Sequence, residues 1–185
     1  MADHTCPVWI GYLLASPLRK LVENPDKILK PYVKENMTVL DVGSAMGFFS
    51  LPMVKMVGTN GQVICVDLQQ KMLDALVKRA NKAGLAQNIK TRLASENDLN
   101  LKGFKSTIDV ALAFHIVHEV NDPNKFFNDI FDALKNNGRL LFSEPPGHVS
   151  KEAFRKSLDL AEKIGFKITQ TTEKSRSRFA VLIKN

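Results

Sequence analysis

The residues from Asp41 to Gly47 combine a carboxylate with closely spaced small residues, in the order Asp-Val-Gly-Ser-Ala-Met-Gly. The apolar, β-branched run that starts at Thr38 is typical of a buried strand, and helical spacing follows from Phe48. Glycine allows positive φ and close approach of a ligand to the backbone, and the first amides of a helix lack internal partners. The pattern predicts a strand, loop and helix that cradle a nucleotide-type ligand at the carboxyl end of a strand.

The spacing of the glycines after Asp41 narrows the class of nucleotide that the loop could bind. A dinucleotide fingerprint, Gly-x-Gly-x-x-Gly, would need its third glycine at position 48, where the chain has Phe48. A phosphate loop would end in Gly-Lys-Ser or Gly-Lys-Thr, which the sequence lacks. NAD and ATP are therefore disfavoured, and what remains is the pattern acid-x-Gly-x-Ala-x-Gly. The methyl group of Ala45 is compatible with such a loop if φ at that residue is negative.

Asp67 is the second residue that could do chemistry, at the end of the next apolar strand and about 20 residues after the loop. A carboxylate there can accept both hydroxyl hydrogens of a ribose. It can also cap the helix that starts at Gln69, and the two roles are compatible. Leu68 and Met72 could cover one face of a purine, although Met72 alone is also typical of a helix core.

A third candidate group, His115, His118 and Glu119, follows an apolar strand. Spacing of i, i+3 and i+4 could place the three side chains on one helical face able to bind a metal. The order His-x-x-His-Glu matches neither of the zinc helix signatures, His-Glu-x-x-His and His-x-x-Glu-His, so no metal is predicted. His118 or Glu119 could act as a base, and ordinary structural hydrogen bonding by His118 stays open.

Strands and helices alternate from Met37 onward, which predicts a parallel sheet covered on both faces. After the first strand, strands are predicted at Gln62–Val66, Ile89–Ala94, Thr107–Phe114, Arg139–Ser143, Phe166–Thr171 and Phe179–Ile183. Helices are predicted at Lys27–Tyr32, Phe48–Val57, Gln69–Ala83, Asn121–Leu134 and Ser150–Ile164, with a turn at Asn137-Gly138.

The 185 residues, 44% of them hydrophobic, suit one domain over 1–185, with a helical cover over 1–35 and a cofactor-binding core over 36–185. The net charge of +7 favours anionic partners such as RNA, acidic headgroups or an acidic metabolite, without choosing among them. Basic residues are spread along the chain, and their nearest approach to a cluster is Lys174–Arg178.

The two cysteines lie far apart without a Cys-x-x-Cys pair, which argues against a disulfide framework and a structural zinc site. No membrane span is predicted, and the cytoplasm is the expected compartment. The proline-punctuated segment Met1–Glu35 is expected to cover the substrate side. Its aromatic residues Trp9 and Tyr12 could line the substrate or fasten a hydrophobic lid to the core.

Taken in chain order, these motifs resemble the class I S-adenosylmethionine-dependent methyltransferases over residues 36–185, whose loop is usually acid-x-Gly-x-Gly-x-Gly. The chain looks most like the ubiquinone/menaquinone-biosynthesis C-methyltransferases and the arsenite-methyltransferase-like domains. The resemblance implies an α/β, Rossmann-like sheet of seven mostly parallel strands in the order 3-2-1-4-5-7-6, with the last strand antiparallel and helices on both faces. It also implies S-adenosylmethionine as cofactor and S-adenosylhomocysteine as product.

The resemblance further implies roles for individual residues, with Ser95 and Glu96 at the adenine. The implied cofactor-binding residues are Asp41, Gly43, Ser44, Ala45, Gly47, Asp67, Leu68, Met72, Ser95, Glu96, Phe114 and His115. The candidate catalytic residues are His118 and Glu119, and the candidate substrate residues are Trp9, Tyr12 and Glu144.

The implied reaction is direct displacement at the sulfonium methyl by a small-molecule nucleophile. The alternatives are an RNA or protein methyltransferase, which the charge would fit, and a non-catalytic protein that binds S-adenosylmethionine, which Ala45 and the short chain would fit. No Asn-Pro-Pro-Tyr or Asn-Pro-Pro-Phe tetrapeptide follows the fourth strand, which disfavours a methylase of base or glutamine amide nitrogen.

Overall fold

A computed structural model describes residues 23–174 and 177–185, except for the side chains of residues 173, 174 and 177. The chain divides into two compact units, which meet in the sequence between Ala94 and Ser95. The predictions for Trp9 and Tyr12 lie outside the described residues, as does most of the expected N-terminal cover. The expectation of a single domain stays a prediction.

The described part of unit one, which ends at Ala94, contains three parallel strands, with one α-helix before them and two that connect them. Its strands are β1 (Thr38–Val42), β2 (Gln62–Asp67) and β3 (Ile89–Leu93), and its helices are α1 (Pro25–Leu29), α2 (Ser50–Val57) and α3 (Gln70–Lys82). The register pairs Val39 with Val63 and Cys65 with Thr91.

The ends of these elements follow from residue type. The Asn24 side chain caps α1 by accepting from Asp26 N at 3.0 Å. Pro52 lies in the first turn of α2, where its missing amide is tolerated. Gly84, with a φ of 68°, follows the end of α3. The apolar face of α3 is buried through Met72, Leu73, Leu76 and Ala80.

Unit two begins at Ser95 and contains the remaining four described strands and two further helices. These elements are β4 (Ile108–Phe114), α4 (Pro123–Ala133), β5 (Leu134–Glu144), α5 (Lys151–Ile164), β6 (Phe166–Lys174) and β7 (Ser177–Lys184). Strand β4 pairs with β5 in parallel, and β7 pairs antiparallel with both β5 and β6. Asp122 and Ser150 cap α4 and α5 by accepting from Lys125 N at 3.0 Å and Ala153 N at 3.1 Å.

The described strands form a seven-stranded sheet in the order β3-β2-β1-β4-β5-β7-β6. This order and the antiparallel β7 confirm the predicted fold class. On α4, Phe126 and Phe127 are buried, and Phe127 packs edge-on against Phe142 at 5.6 Å between ring centroids. Among the described residues, no helix has the length and apolarity needed to cross a membrane.

Strand β5 starts five residues earlier than predicted, at Leu134. The register with β4 shifts between its pairs at Leu134 and Arg139, and Asn137 within the shift has a φ of 63°. A Cβ atom at Gly138 would lie 2.8 Å from the carbonyl oxygen of Lys135. The predicted Asn137-Gly138 turn is therefore an irregularity inside a longer strand, which glycine permits because the backbone approaches itself closely there.

Candidate cofactor and substrate sites

The glycine loop of unit one has three residues with positive φ, at alternating positions. The φ values are 74° at Gly43, 44° at Ala45 and 84° at Gly47. The amides of Gly43 and Ser44 donate to the carbonyl oxygen of Val66 at 2.9 and 3.0 Å, which anchors the loop to the end of β2. The alternation gives the tight turn that the sequence predicted.

The condition under which alanine was expected to fit the loop, a negative φ at Ala45, is not met. Its φ of 44° places an alanine in the left-handed region, which is unfavourable for residues with a Cβ. The Ala45 amide donates to Asp67 Oδ2 at 2.8 Å, and this charge-assisted bond helps to hold the unfavourable conformation.

Asp67 links the loop to the helix that follows β2. Its Oδ2 accepts from Ala45 N, and its Oδ1 accepts from Gln69 N at 2.9 Å, just before α3. Burial raises the pKa of Asp67 above its ordinary value, while these amide bonds lower it in part. Each carboxylate oxygen has a further lone pair, so both could also accept from the hydroxyl groups of a ribose.

The other candidate residues of unit one, Ser44, Leu68 and Met72, indicate whether this site suits a nucleoside cofactor. Ser44 Oγ is buried and has no hydrogen-bond partner among the described residues, and such a group is normally satisfied by a ligand or water. The Leu68 side chain is 44% exposed next to Asp67 in the chain, a position that suits contact with a purine face. Met72 is only 2% exposed and packs in the core. Ser44 and Leu68 therefore fit the implied cofactor, whereas the burial of Met72 favours the alternative interpretation of a core residue.

Hydrogen bonds of Asp41 and Arg79 stabilise the glycine loop. Asp41 is 3% exposed, and Ser50 Oγ, in the first turn of α2, donates to Asp41 Oδ2 at 2.5 Å. Arg79 Nη1 on α3 donates to the carbonyl oxygen of Met46. The contact of Arg79 was missed from the sequence, because an arginine on an amphipathic helix is ordinarily solvated.

The predicted adenine residues of unit two lie in a short turn. Ser95 N donates to the Asp98 carbonyl oxygen at 2.9 Å. The exposed carboxylate of Glu96 accepts from Asn121 Nδ2 at 3.4 Å through Oε2. Their role at adenine stays a prediction.

The residues after β4 do not form the helical face considered from their spacing. His115 has a φ of 58°, its amide donates to the Ser143 carbonyl oxygen at 2.8 Å, and its ring stacks on Phe114 at 5.9 Å. A 3-10 turn then covers only Val117–Glu119. His115 therefore does not share a helical face with His118 and Glu119, and the helical-face interpretation is wrong.

His118 and Glu144 form a closely bonded pair. The Nδ1 atom of His118 lies 2.6 Å from Glu144 Oε2, and its backbone amide donates to Glu144 Oε1 at 3.0 Å. Glu144 is 2% exposed, whereas the His118 side chain is 26% exposed. The hydrogen bond to Glu144 raises the pKa of His118 above its ordinary value, against a smaller opposing effect of burial.

This pair was missed although both residues were singled out, because strand pairing decides which residues at the ends of β4 and β5 meet. On its other side, His118 Nε2 lies 3.9 Å from Glu119 Oε1, and its ring stacks near His148 at 6.1 Å. The substrate contact predicted for Glu144 stays a prediction. No cluster suited to a metal ion occurs within residues 23–174 and 177–185.

A family model described as a methyltransferase domain matches residues 33–178. The ubiquinone/menaquinone biosynthesis C-methyltransferase UbiE of Haemophilus ducreyi is 29% identical over 116 residues, which are 61% of this chain and 44% of that protein. An arsenite methyltransferase of Halobacterium salinarum is 28% identical over 107 residues, which are 58% of this chain and 27% of that protein. The aligned part therefore spans less than half the length of either relative.

Among solved structures, a SAM dependent methyltransferase from Aquifex aeolicus is similar with a TM-score of 0.83 and 26% sequence identity. The match covers 97% of this chain and 100% of that one. The family match, the strand order and the loop agree with the resemblance inferred from the sequence. This chain belongs to the methyltransferase-domain family, within the class I S-adenosylmethionine-dependent methyltransferases.

Proposed function

We propose that this protein transfers a methyl group from S-adenosylmethionine to a small molecule. The observation that carries the proposal is the Asp67 carboxylate, which two backbone amides orient beside a loop of alternating positive φ. The buried, unpartnered Oγ of Ser44 in the same loop gives independent support for a polar ligand. The arrangement suits a nucleoside and contains no lysine-bearing phosphate loop.

The chain's own residues then bind and orient the reactants. In unit one, Asp67 would accept from the ribose hydroxyl groups of the cofactor, and the exposed Leu68 would cover its adenine. When bound, the cofactor supplies a methyl group already activated on a sulfonium, so the protein contributes alignment and exclusion of water rather than activation.

His118 is proposed to accept the proton that the substrate loses. With Nδ1–H donated to Glu144 Oε2, the second ring nitrogen, Nε2, carries the lone pair that can take a proton. Glu144 acts as a positioning residue, because its buried carboxylate also accepts from the His118 amide and so fixes both ring and backbone. The raised pKa makes His118 a stronger base than an isolated histidine.

Calorimetric titration of S-adenosylmethionine into Asp67→Ala tests the cofactor assignment. Loss of charge-assisted bonds, each worth on the order of 1.5–3 kcal/mol, predicts binding at least about tenfold weaker than in the wild type. Asp74→Ala is the matched control, because this exposed acid of α3 accepts from Gln70 Nε2 at 2.8 Å, within its own helix. Unchanged affinity in folded Asp67→Ala would reject the assignment.

A second measurement separates catalysis from binding alone. The wild type is incubated with S-adenosylmethionine and a small-molecule cell extract, and S-adenosylhomocysteine is quantified by mass spectrometry. Extract-dependent product that His118→Asn reduces by about a hundredfold or more supports the proposed base. Cofactor binding with no product from any extract fraction would contradict transfer to a small molecule.

A further inference from the structure

Arg178, at the second position of β7, is a buried cation with unpaired donors. The residue is 8% exposed, and its Nε and Nη1 atoms have no hydrogen-bond partner among the described residues. Its backbone is satisfied by contrast, because the Arg178 carbonyl oxygen accepts from Ser143 Oγ at 2.9 Å. Buried guanidinium donors without acceptors are unfavourable, so the Nε and Nη1 atoms of Arg178 are suited to a ligand that supplies acceptor oxygens.

The strand register places Arg178 next to Glu144 of the His118–Glu144 pair. Arg178 lies directly opposite Glu144 in the antiparallel register of β5 and β7. Residues directly opposite in such a pair place their side chains on the same face of the sheet. Both carboxylate oxygens of Glu144 nevertheless bond to His118, at 2.6 Å from Nδ1 and 3.0 Å from the amide. The Nε and Nη1 atoms of Arg178 therefore have no acceptor in the described part of the chain.

We propose that Arg178 binds an anionic oxygen group, a carboxylate or a phosphate, on the substrate from which His118 accepts a proton. The inference rests on the proposed function and narrows it to acidic substrates. Guanidinium groups suit this task because their planar array of N–H donors matches carboxylate and phosphate oxygens. The formal net charge of +7 also favours the approach of an anion.

Two acidic residues of the chain are alternatives to an external anion, Glu152 by its electrostatic interaction and Glu173 by its backbone register. Glu152, in the first turn of α5, has a lowered pKa, chiefly through its own backbone amide and Ser150, with a smaller effect of Arg178. Glu173 is the Cα partner of Arg178 across β6 and β7. The experiment must therefore distinguish an external anion from an internal one.

The external anion is tested with sodium acetate and inorganic phosphate as probes, each compared with sodium chloride at equal ionic strength. Thermal unfolding of the full chain should show a concentration-dependent rise in Tm with one of the two probes, which also tells a carboxylate site from a phosphate site. Arg178→Gln should raise the apparent Kd for that probe at least tenfold. Arg155→Gln, at an arginine whose side chain is 59% exposed, should leave it unchanged.

Arg178→Lys keeps a positive charge and provides a second readout if Arg178→Gln does not fold. It should bind the probe several-fold more weakly than the wild type, because an ammonium lacks the planar donor array. The proposal is overturned if neither probe acts specifically on the wild type, or if the Arg178 variants retain the wild-type response. It is also overturned if Glu152→Gln or Glu173→Gln removes the stability effect of Arg178→Gln, since the partner is then internal.

Calorimetry of the wild type with S-adenosylmethionine is run in parallel. Cofactor binding without an anion response rejects the acidic substrate and leaves the methyltransferase proposal standing. An anion response without cofactor binding rejects the proposed function, and with it the assignment of Arg178 to a methyl acceptor.

Discussion

The two units hold their functional groups by different means. In unit one, the backbone does most of the positioning, through positive φ at Gly43, Ala45 and Gly47 and through amides that orient Asp67. In unit two, side chains position one another, with His118 bonded to a buried Glu144 at 2.6 Å. A site built on backbone conformation depends on local residue types, whereas a side-chain pair depends on residues distant in the sequence.

The difference also concerns charge. The Asp67 carboxylate is satisfied by neutral backbone donors, so its partners do not titrate. The Glu144 carboxylate is paired with an imidazole whose charge changes near neutral pH. Unit two should therefore respond to pH and to single side-chain deletions, and unit one chiefly to changes of backbone freedom.

The largest expected effect is in the buried side-chain pair. Glu144→Gln removes a carboxylate that accepts from two donors of His118, so the free energy of unfolding should fall by about 2 kcal/mol. Urea unfolding at pH 6 measures the change, and a double-mutant cycle with His118→Asn should give a coupling of about 1 kcal/mol or more.

Glu119→Gln is the control for that change. Its carboxylate lies 3.9 Å from His118 Nε2 and is 34% exposed, so it should alter stability by less than about 0.5 kcal/mol. Equal effects of the two substitutions would mean that general charge near His118, rather than the buried pair, stabilises unit two.

The pH-dependent contribution of His118 to the free energy of unfolding should be about 1 kcal/mol or less, because its side chain is partly exposed. The folded pKa of His118 is raised above 6.5, so its contribution is complete below about pH 6.5 and is lost as pH rises through the folded value. The difference in unfolding free energy between wild type and His118→Asn should therefore shrink from pH 5.5 to pH 9. A difference that grows over this range would contradict the assignment.

Methyl transfer should change with pH in the opposite direction. A proton acceptor must be neutral, so turnover should rise with pH through the raised pKa of His118 while the stability contribution of the pair declines. A turnover profile that is flat over this range would remove His118 from the role of base.

The smallest expected effect is in the glycine loop. Ala45→Gly relieves a left-handed alanine, which costs roughly 1–2 kcal/mol, but adds freedom to the unfolded chain, for a net gain of about 0.5 kcal/mol. Ala83→Gly is the matched control, because Ala83 has a φ of −92° and should lose stability. Denaturant unfolding compares the two, and equal losses would show that Ala45 is not strained.

Much of the fold was predictable because local chemistry sets the ends of elements. Asp122 and Ser150 were expected at helix starts, and both accept from an amide of the first turn. The early start of β5 was not predictable, because Asn137-Gly138 is an ordinary turn signal and only pairing with β4 draws the preceding residues into the strand. Spacing likewise suggested a helical face for His115 and His118, but a single 3-10 turn forms there.

The sequence by itself determined the loop, the acid after β2 and the strand succession, because glycine freedom, apolar runs and helix caps act between residues close in the chain. Only the tertiary structure decided which side chains meet. His118 and Glu144 are 26 residues apart, and Arg178 lies opposite Glu144 through the register of β5 and β7. Strand order and register determine such partners, because a one-residue change of register would turn the side chains of a strand to the other face of the sheet.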